Sequence, residues 1–378
     1  MIKRFTWNIG LFNLLVLFTI LLAVPRQTYA GENDTVTVSA MESQTASAVK
    51  EKESFNAGEL IMEHVVDNHE WHIAGIGEKH IIVPLPVILF YDGSLYAFWS
   101  SAFHNPTHSY KGFVLQPEGP QKGKIVREDL AGITGPKVYD FSITKTVLAL
   151  FFSVALMLVI FLSVAKGYRK NKGEAPTGVQ SLFEPIILFV RDDIAKSSIG
   201  EKRYEKFMPY LLTIFFFIFL NNLLGMIPIF PGGANVTGNI AVTMVMAVFT
   251  FFITSFTGTK HYWIDIVNTP GVPWWLKFPL PLMPIVEIIG IITKPFVLMI
   301  RLFANITAGH IIQLGFVCLI FIFGAIGVGF GYGVSVVSVA FMLFMSLIEL
   351  LVAFIQAYVF TLLSALYFGL AMVEPEKH

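Results

Sequence analysis

The sequence predicts an all-α polytopic membrane protein with about five membrane helices, the last two forming a long tilted hairpin. A cytoplasmic-surface amphipathic helix and a small β-containing external domain near the N-terminus complete it. Three observations carry this prediction. Of 378 residues 55% are hydrophobic and only 14% charged, against roughly 25% charged in a soluble domain. Long uncharged runs recur, each bounded by basic or turn-forming residues. Five glycines, Gly324, Gly327, Gly329, Gly331 and Gly333, divide the last hundred residues into two apolar arms. The balance of 26 basic and 26 acidic residues gives no net attraction to nucleic acid, and a lone cysteine, Cys318, leaves no disulfide framework and no cysteine metal site.

Residues 1–30 show the charged, apolar and small-residue order of a secretory signal: Lys3 and Arg4, an uncharged run from Phe5 to Pro25, then a cleavage-like site at Ala30. The run is also long enough to remain as an anchor, and either way the next segment is exported. Residues 31–138 form the external domain, opening with a disordered stretch from Gly31 to Phe55. His80 to Ser100 is β-rich and broken by Asp92-Gly93, which reads as a hairpin. Six of the nine histidines fall here: His64, His69, His72, His80, His104 and His108. The run HEWH places its histidines three apart where a zinc-protease helix needs four, so these are read as surface histidines.

The membrane part covers residues 139–378. Twenty uncharged residues between Lys145 and Lys166 make one span, and Lys166, Arg169, Lys170 and Lys172 mark its cytoplasmic end. From Ser181, apolar residues Leu182, Phe183, Ile186, Ile187, Val190 and Ile194 recur at helical spacing, giving the amphipathic helix, with Pro185 in its first turn. Phe207 to Thr259 holds no Asp, Glu, Lys or Arg and is interrupted once, at Pro231 to Gly233, so it makes two spans. Asn221, Asn222, Asn235 and Asn239 cluster near that turn and either line a water-filled vestibule or tie helices together. Trp263, Trp274 and Trp275 anchor the following loop at the interface.

The two arms of the final hairpin run from Pro281 to Phe323 and from Val334 to Met372, each about twice the hydrocarbon thickness as a continuous helix. Either they break, at Pro284 and Pro295, or they lie strongly tilted. Residues equidistant from the glycine centre at 328.5 should meet. That pairs Arg301 with Gln356 and sets His310 beside Glu349, so the few polar groups in apolar arms partner one another. Helical phase puts Asn305 on the face of Arg301, His310 roughly opposite, and Glu287 and Lys294 within about 40° of Arg301. An arginine at mid-span costs ~2.5–3.5 kcal/mol and marks an ion path.

RLFANITAGH at 301–310, the glutamate 14 residues before Arg301, and Glu349 followed seven residues later by Gln356 closely resemble subunit a of the F-type ATP synthases. FLNNLLGMIP, Phe219 to Pro228, is similar to another stretch of that family. The resemblance covers about residues 139–378, and the export signal and external domain resemble those of some bacterial members. One departure stands out: in much-studied members the position of His310 is a glutamate and that of Glu349 a histidine, so the pair is kept with its types exchanged.

The resemblance implies a non-catalytic, proton-translocating subunit of the bacterial inner membrane, with its N-terminal domain external and its C-terminus cytoplasmic. It implies two half-channels against a rotating c-subunit ring, with b subunits and a soluble ATPase head as further partners and no cofactor. Arg301 would enforce deprotonation of the ring carboxylate and block leak. His310 and Glu349 would relay protons from outside, Asn305 and Gln356 would orient guanidinium and water, and Glu287 would serve the cytoplasmic exit or snorkel at the interface. A self-contained transporter binding an anion at Arg301 would favour internal repeats; the arginine segment has no second copy.

Overall fold

The computed structural model describes residues 57–58, 61, 65–76, 79–105, 108–116, 123–127, 138–170, 175–227, 232–268 and 282–373. The export signal, the stretch Gly31–Phe55, His64, Pro231, Trp274 and Trp275 lie outside the described residues.

The region before Lys145 forms a β domain with, among the described residues, eight short strands. β1 (Glu70–Ile76) and β2 (Lys79–Pro84) form one ribbon; β3 (Pro86–Tyr91), β4 (Ser94–Trp99) and β8 (Tyr139–Asp140) form a sheet of order β4-β3-β8; β5 (Ser109–Tyr110), β6 (Phe113–Leu115) and β7 (Ile125–Arg127) form another. The predicted hairpin is present: Tyr91 pairs with Ser94, and Asp92 (φ 46°) and Gly93 (φ 75°) take the left-handed backbone that a two-residue turn requires. Alternation along β3 sends Val87 and Leu89 inward, where they meet Phe103, Phe113 and Ile125 in a small core. The surface reading of the histidines holds for His104, which meets Glu70 at 2.7 Å, but not for His69. His69 is 8% exposed and bonds Asp140 at 2.8 Å. Its partner is 71 positions away, brought close because β8 returns to pair with β3.

Among the described residues five helices are long and apolar enough to cross a membrane: α1 (Lys145–Lys170), α3 (Tyr204–Met226), α4 (Ile240–Thr257), α6 (Leu282–Ile326) and α7 (Val328–Ala371). Their burial sorts them. In α3, 78% of the apolar window is inside the protein, in α6 only 6%, so α3 is the central post and α6 the flank. Aromatic residues fit α3 to that place: Phe216 meets Phe161 of α1 edge-on at 4.8 Å, and Phe207 stacks on Phe368 of α7 at 4.9 Å. Hydroxyls in this core find partners within it. Tyr210 Oη lies 2.6 Å from Thr250 Oγ1, and Ser364 and Thr361 donate back to carbonyls one turn earlier.

α2 (Val179–Phe189) passes into a π-helical turn, Val190–Lys196, and a last turn, Ser197–Ile199. The helix starts two residues before Ser181, which puts Pro185 inside it rather than in its first turn. Val190, Ile194 and Ala195 are fully buried in the main core, while Arg191 and Lys196 close on Asp192 outside it. These contacts hold the Asp192 carboxyl well below the usual carboxylate range, the Arg191 hydrogen bonds first and Lys196 second. The short α5 (Lys260–Val267) is capped by Thr259 and carries Trp263.

One end of the bundle gathers the ends of α4 and α7 with the start of α3. Thr259 N–H donates to the Ala371 carbonyl and Arg203 Nη1 to that of Met372. The other end gathers the β domain, the start of α1 and the α3–α4 connection.

Candidate functional site

The hairpin arms do not break. α6 and α7 have 45 and 44 residues, about 66 Å each at 1.5 Å per residue, so in a ~30 Å hydrocarbon core they must lie strongly tilted. Pro295 is carried inside α6, and of the five glycines only Gly327 interrupts the helices; Gly329, Gly331 and Gly333 are helical. The arms cross closely at the tip because Gly331 lies on Gly324: a methyl at Gly331 would reach the Gly324 Cα at 2.9 Å.

Cross-arm contacts then follow the expected levels. Phe316 stacks on Phe341 at 5.4 Å, Gln313 Nε2 donates to Ser346 Oγ at 3.3 Å, and His310 Nδ1 stands 3.6 Å from Glu349 Oε1. The midpoints of these pairs fall close to the glycine centre. His310 and Glu349 are thus neighbours, as their distances from the tip predict.

This pair is enclosed. The side chains are 17% and 7% exposed, and neither Glu349 oxygen has a hydrogen-bond donor among the described residues. Two glycines make the space. A methyl at Gly309 would meet Glu349 Oε1 at 3.1 Å, and one at Gly225, in the last turn of α3, would meet His310 Nε2 at 3.6 Å. Neither glycine stood out in the sequence, although a glycine within an apolar helical run signals close approach. Around them the amides act as ties. Asn222 Nδ2 donates to the Ala353 carbonyl at 3.5 Å and its Oδ1 accepts from Thr237. Asn239 caps α4, Asn235 Oδ1 accepts from Gly238 N–H, and Asn221 bonds Phe217 while its Oδ1 is left without a partner.

Arg301 and Gln356 are at similar levels but share no hydrogen bond. Arg301 is exposed and Gln356 is 6% exposed, facing inward with Ala353, Ala357 and Phe360. Phase explains the difference. Gln356 follows Glu349 by seven residues and shares its inward face, whereas Arg301 precedes His310 by nine and so points away from it. Asn305 is exposed beside Arg301. Arg301 makes no hydrogen bond or ion pair to a described residue, so a permanent charge stands on the open flank of α6.

Toward the other end a small cleft opens between α4, α5, α6 and α7. Its walls are mainly apolar, from Phe251, Ile291, Pro295 and Leu370, with Thr250, Thr254, Tyr262, Tyr367 and Lys294 at its edges. Lys294 Nζ stands 5.6 Å over the Tyr367 ring, which also lies within electrostatic reach of Arg301. Glu287, two turns before Lys294, is half-buried and close to Tyr262. No group of three potential metal ligands occurs among the described residues.

A family model described as "ATP synthase A chain" matches residues 147–369, and one described as "Domain of unknown function (DUF8433)" matches 60–141. The chain is 39% identical over 317 residues to "ATP synthase subunit a 2" of Prosthecochloris aestuarii, covering 79% of this chain and 94% of that one. It is 36% identical over 367 residues to "ATP synthase subunit a" of Pelodictyon phaeoclathratiforme, covering 94% and 89%. With "ATP synthase subunit a" of Chloroherpeton thalassium it shares 43% over 245 residues, 63% and 69% of the two chains.

Proposed function

Because the chain belongs to the ATP synthase A chain family, a multi-pass membrane subunit that moves protons and is not itself catalytic, we propose how its residues divide the work. The observation that carries the proposal is Arg301: a fixed cation near the middle of a 45-residue apolar helix, on an exposed flank, with no counter-ion among the described residues. A charge so placed needs a partner from another chain. The chemistry that fits is a carboxylate on a ring of c subunits turning past that flank.

A carboxylate crosses lipid cheaply only when protonated, and a nearby cation favours its ionised form. Opposite Arg301 each ring carboxylate gives up its proton; away from it the carboxylate is neutral and turns through lipid. Arg301 cannot pass the proton itself, since its own proton is not released below about pH 12. It therefore separates two aqueous paths. A leak between them would waste about 2.3 kcal/mol per proton for each 100 mV.

His310 and Glu349 form the inner end of the external path, and Asn222 and Thr237 pack beside them. The small cleft beside Lys294, between the Arg301 and Glu287 levels of α6, belongs to the cytoplasmic path. Asn305 orients water beside the guanidinium, and Gln356 braces the inner face of α7. In this orientation the β domain is external and the C-terminus cytoplasmic, as the basic end of α1 at Lys166, Arg169 and Lys170 favours. The b subunits and the ATPase head join through the complex.

Affinity purification of the tagged chain in mild detergent tests the proposal. The c and b subunits and an ATPase head should elute with it in fixed ratio. Recovery of the chain alone from intact membranes would overturn the reading.

A further inference from the structure

The contacts of the β domain with the membrane part converge on the first turn of α1. Asp67 accepts from the Thr144 hydroxyl at 2.7 Å and from the Thr146 N–H at 3.0 Å, and the Asn68 carbonyl accepts the Lys145 N–H at 2.9 Å. The next residue, His69, holds Asp140, which also accepts the Ser142 N–H at 2.9 Å. Trp71, 3% exposed, is buried in the same core as α1 and α3. Farther along, the Ala57 carbonyl meets Cys318 Sγ at 3.9 Å, two turns beyond His310 on α6. The domain is fastened around the end of the bundle where His310 and Glu349 lie.

α1 packs antiparallel on α3, with Phe161 against Phe216, which sets the first residue of α1 roughly 10 Å outward of Gly225 at 1.5 Å per residue. The last turn of α3 holds Gly225, on which His310 rests. Lys145 thus stands outward of His310, toward the β domain, and it is within electrostatic reach of both His310 and Asp67. The charged groups around His310, among the described residues, are Glu349 from α7 and Lys145 from α1, the latter faced by Asp67. From α3 and the 232–239 segment come only amides and a hydroxyl, Asn222, Asn235 and Thr237.

We propose that Lys145 is a positioning residue for the His310–Glu349 pair, and that the β domain serves to hold this cation at the external mouth of the proton path. This rests on the reading of the chain as a proton-translocating subunit. A fixed cation opposes a second positive charge on the neighbouring imidazole, so an arriving proton is handed on rather than held. Asp67 tempers the cation and fixes the backbone that carries it.

The test uses the whole complex in liposomes, with ATP synthesis followed as the pH on the proton-entry side is varied and the pH on the other side is held. Removing one charge in electrostatic reach moves a midpoint by roughly 0.5–1 pH unit at an effective dielectric of about 20. Lys145→Met should move the entry-side midpoint to higher pH by that amount, and Lys145→Arg should restore the original profile. Asp67→Asn, which unmasks the cation, should move the midpoint the opposite way. A loss of packing alone cannot give shifts of opposite sign. Unshifted midpoints, or shifts of the same sign, overturn the proposal. Arg301→Ala is run beside them: if synthesis survives that change, it is the underlying reading that fails.

Discussion

Gly369→Ala is the substitution the packing forbids most clearly. Gly369 lies in the last turns of α7 with its Cα pressed on the Ser197–Ile199 turn. A methyl there would overlap the Ser198 carbonyl oxygen and come within 3.1 Å of its carbon and 3.6 Å of the Ile199 Cα. All three are backbone atoms, so no rotamer change relieves the overlap. The turn is itself held: Val190, Ile194 and Ala195 before it are at 0% exposure, and Gly200 after it has φ 93°, a conformation that disfavours any other residue. Forcing backbone apart in a packed core costs ~1–3 kcal/mol or more. The helix preference of alanine over glycine returns about 0.5–1 kcal/mol, which leaves a net loss of roughly 1–2 kcal/mol. Thermal unfolding of the purified chain in detergent measures it. Gly369→Ala should melt several degrees lower, whereas Gly290→Ala, with no atom within 4 Å of the added methyl, should melt at or above the parent temperature. A Gly369→Ala protein as stable as the Gly290→Ala protein would refute the close approach of α7 to that turn.

Other outcomes follow from the same contacts. If His310 and Glu349 work as a unit 3.6 Å apart, then His310→Glu and Glu349→His should each cut proton-driven synthesis at least ~10-fold, while the double exchange restores much of it, a non-additivity that a double-mutant cycle reads directly. A double exchange no better than the worse single change would show that the pair does not act together. The His69–Asp140 bond makes docking of the β domain pH-dependent. Burial would push both groups toward neutrality, but each is overridden by the other, so His69 is raised above its ordinary 6.5 and Asp140 lowered below its ordinary 3.8. The His69 contribution is complete below pH 6.5 and fades as pH rises through its raised value. The Asp140 contribution is complete above pH 3.8 and fades as pH falls through its lowered one. Proteolytic resistance of the domain should therefore be greatest in mild acid and decline toward alkaline pH, and His69→Ala should flatten the alkaline decline; an unchanged decline in that variant would count against the pair.

Local and periodic features of the molecule were legible in the sequence. The uncharged runs beginning at Lys145 and Phe207 became spans because lipid demands apolar faces on every side, and Asp92-Gly93 became a hairpin because few residues take its backbone. The meeting of His310 and Glu349 was legible because level in a hairpin depends only on distance from its tip. Direction was harder. Level alone paired Arg301 with Gln356, but phase turned Gln356 inward and Arg301 outward, and the turning of α7 against α3 is set by packing with Phe207, Phe215 and Ala353 rather than by the hairpin. The glycine run overstated the break, since glycine costs a helix only about 1 kcal/mol; Gly329, Gly331 and Gly333 stay helical, and Gly331 lets the arms close on Gly324 at the tip. Long-range ties left no periodic trace: His69 to Asp140 and Asp67 to Thr144 join residues 71 and 77 positions apart.

The central claim is that Arg301, without a counter-ion among the described residues on an exposed helix flank, holds two proton paths apart while driving a passing carboxylate to ionise. Replacing it with alanine in the assembled complex tests that claim most directly, with ATP synthesis and passive proton conductance measured on the same reconstituted vesicles under an imposed gradient. The account predicts an intact complex in which synthesis is abolished and proton leak is increased. Synthesis at the original rate with a tight membrane would contradict it.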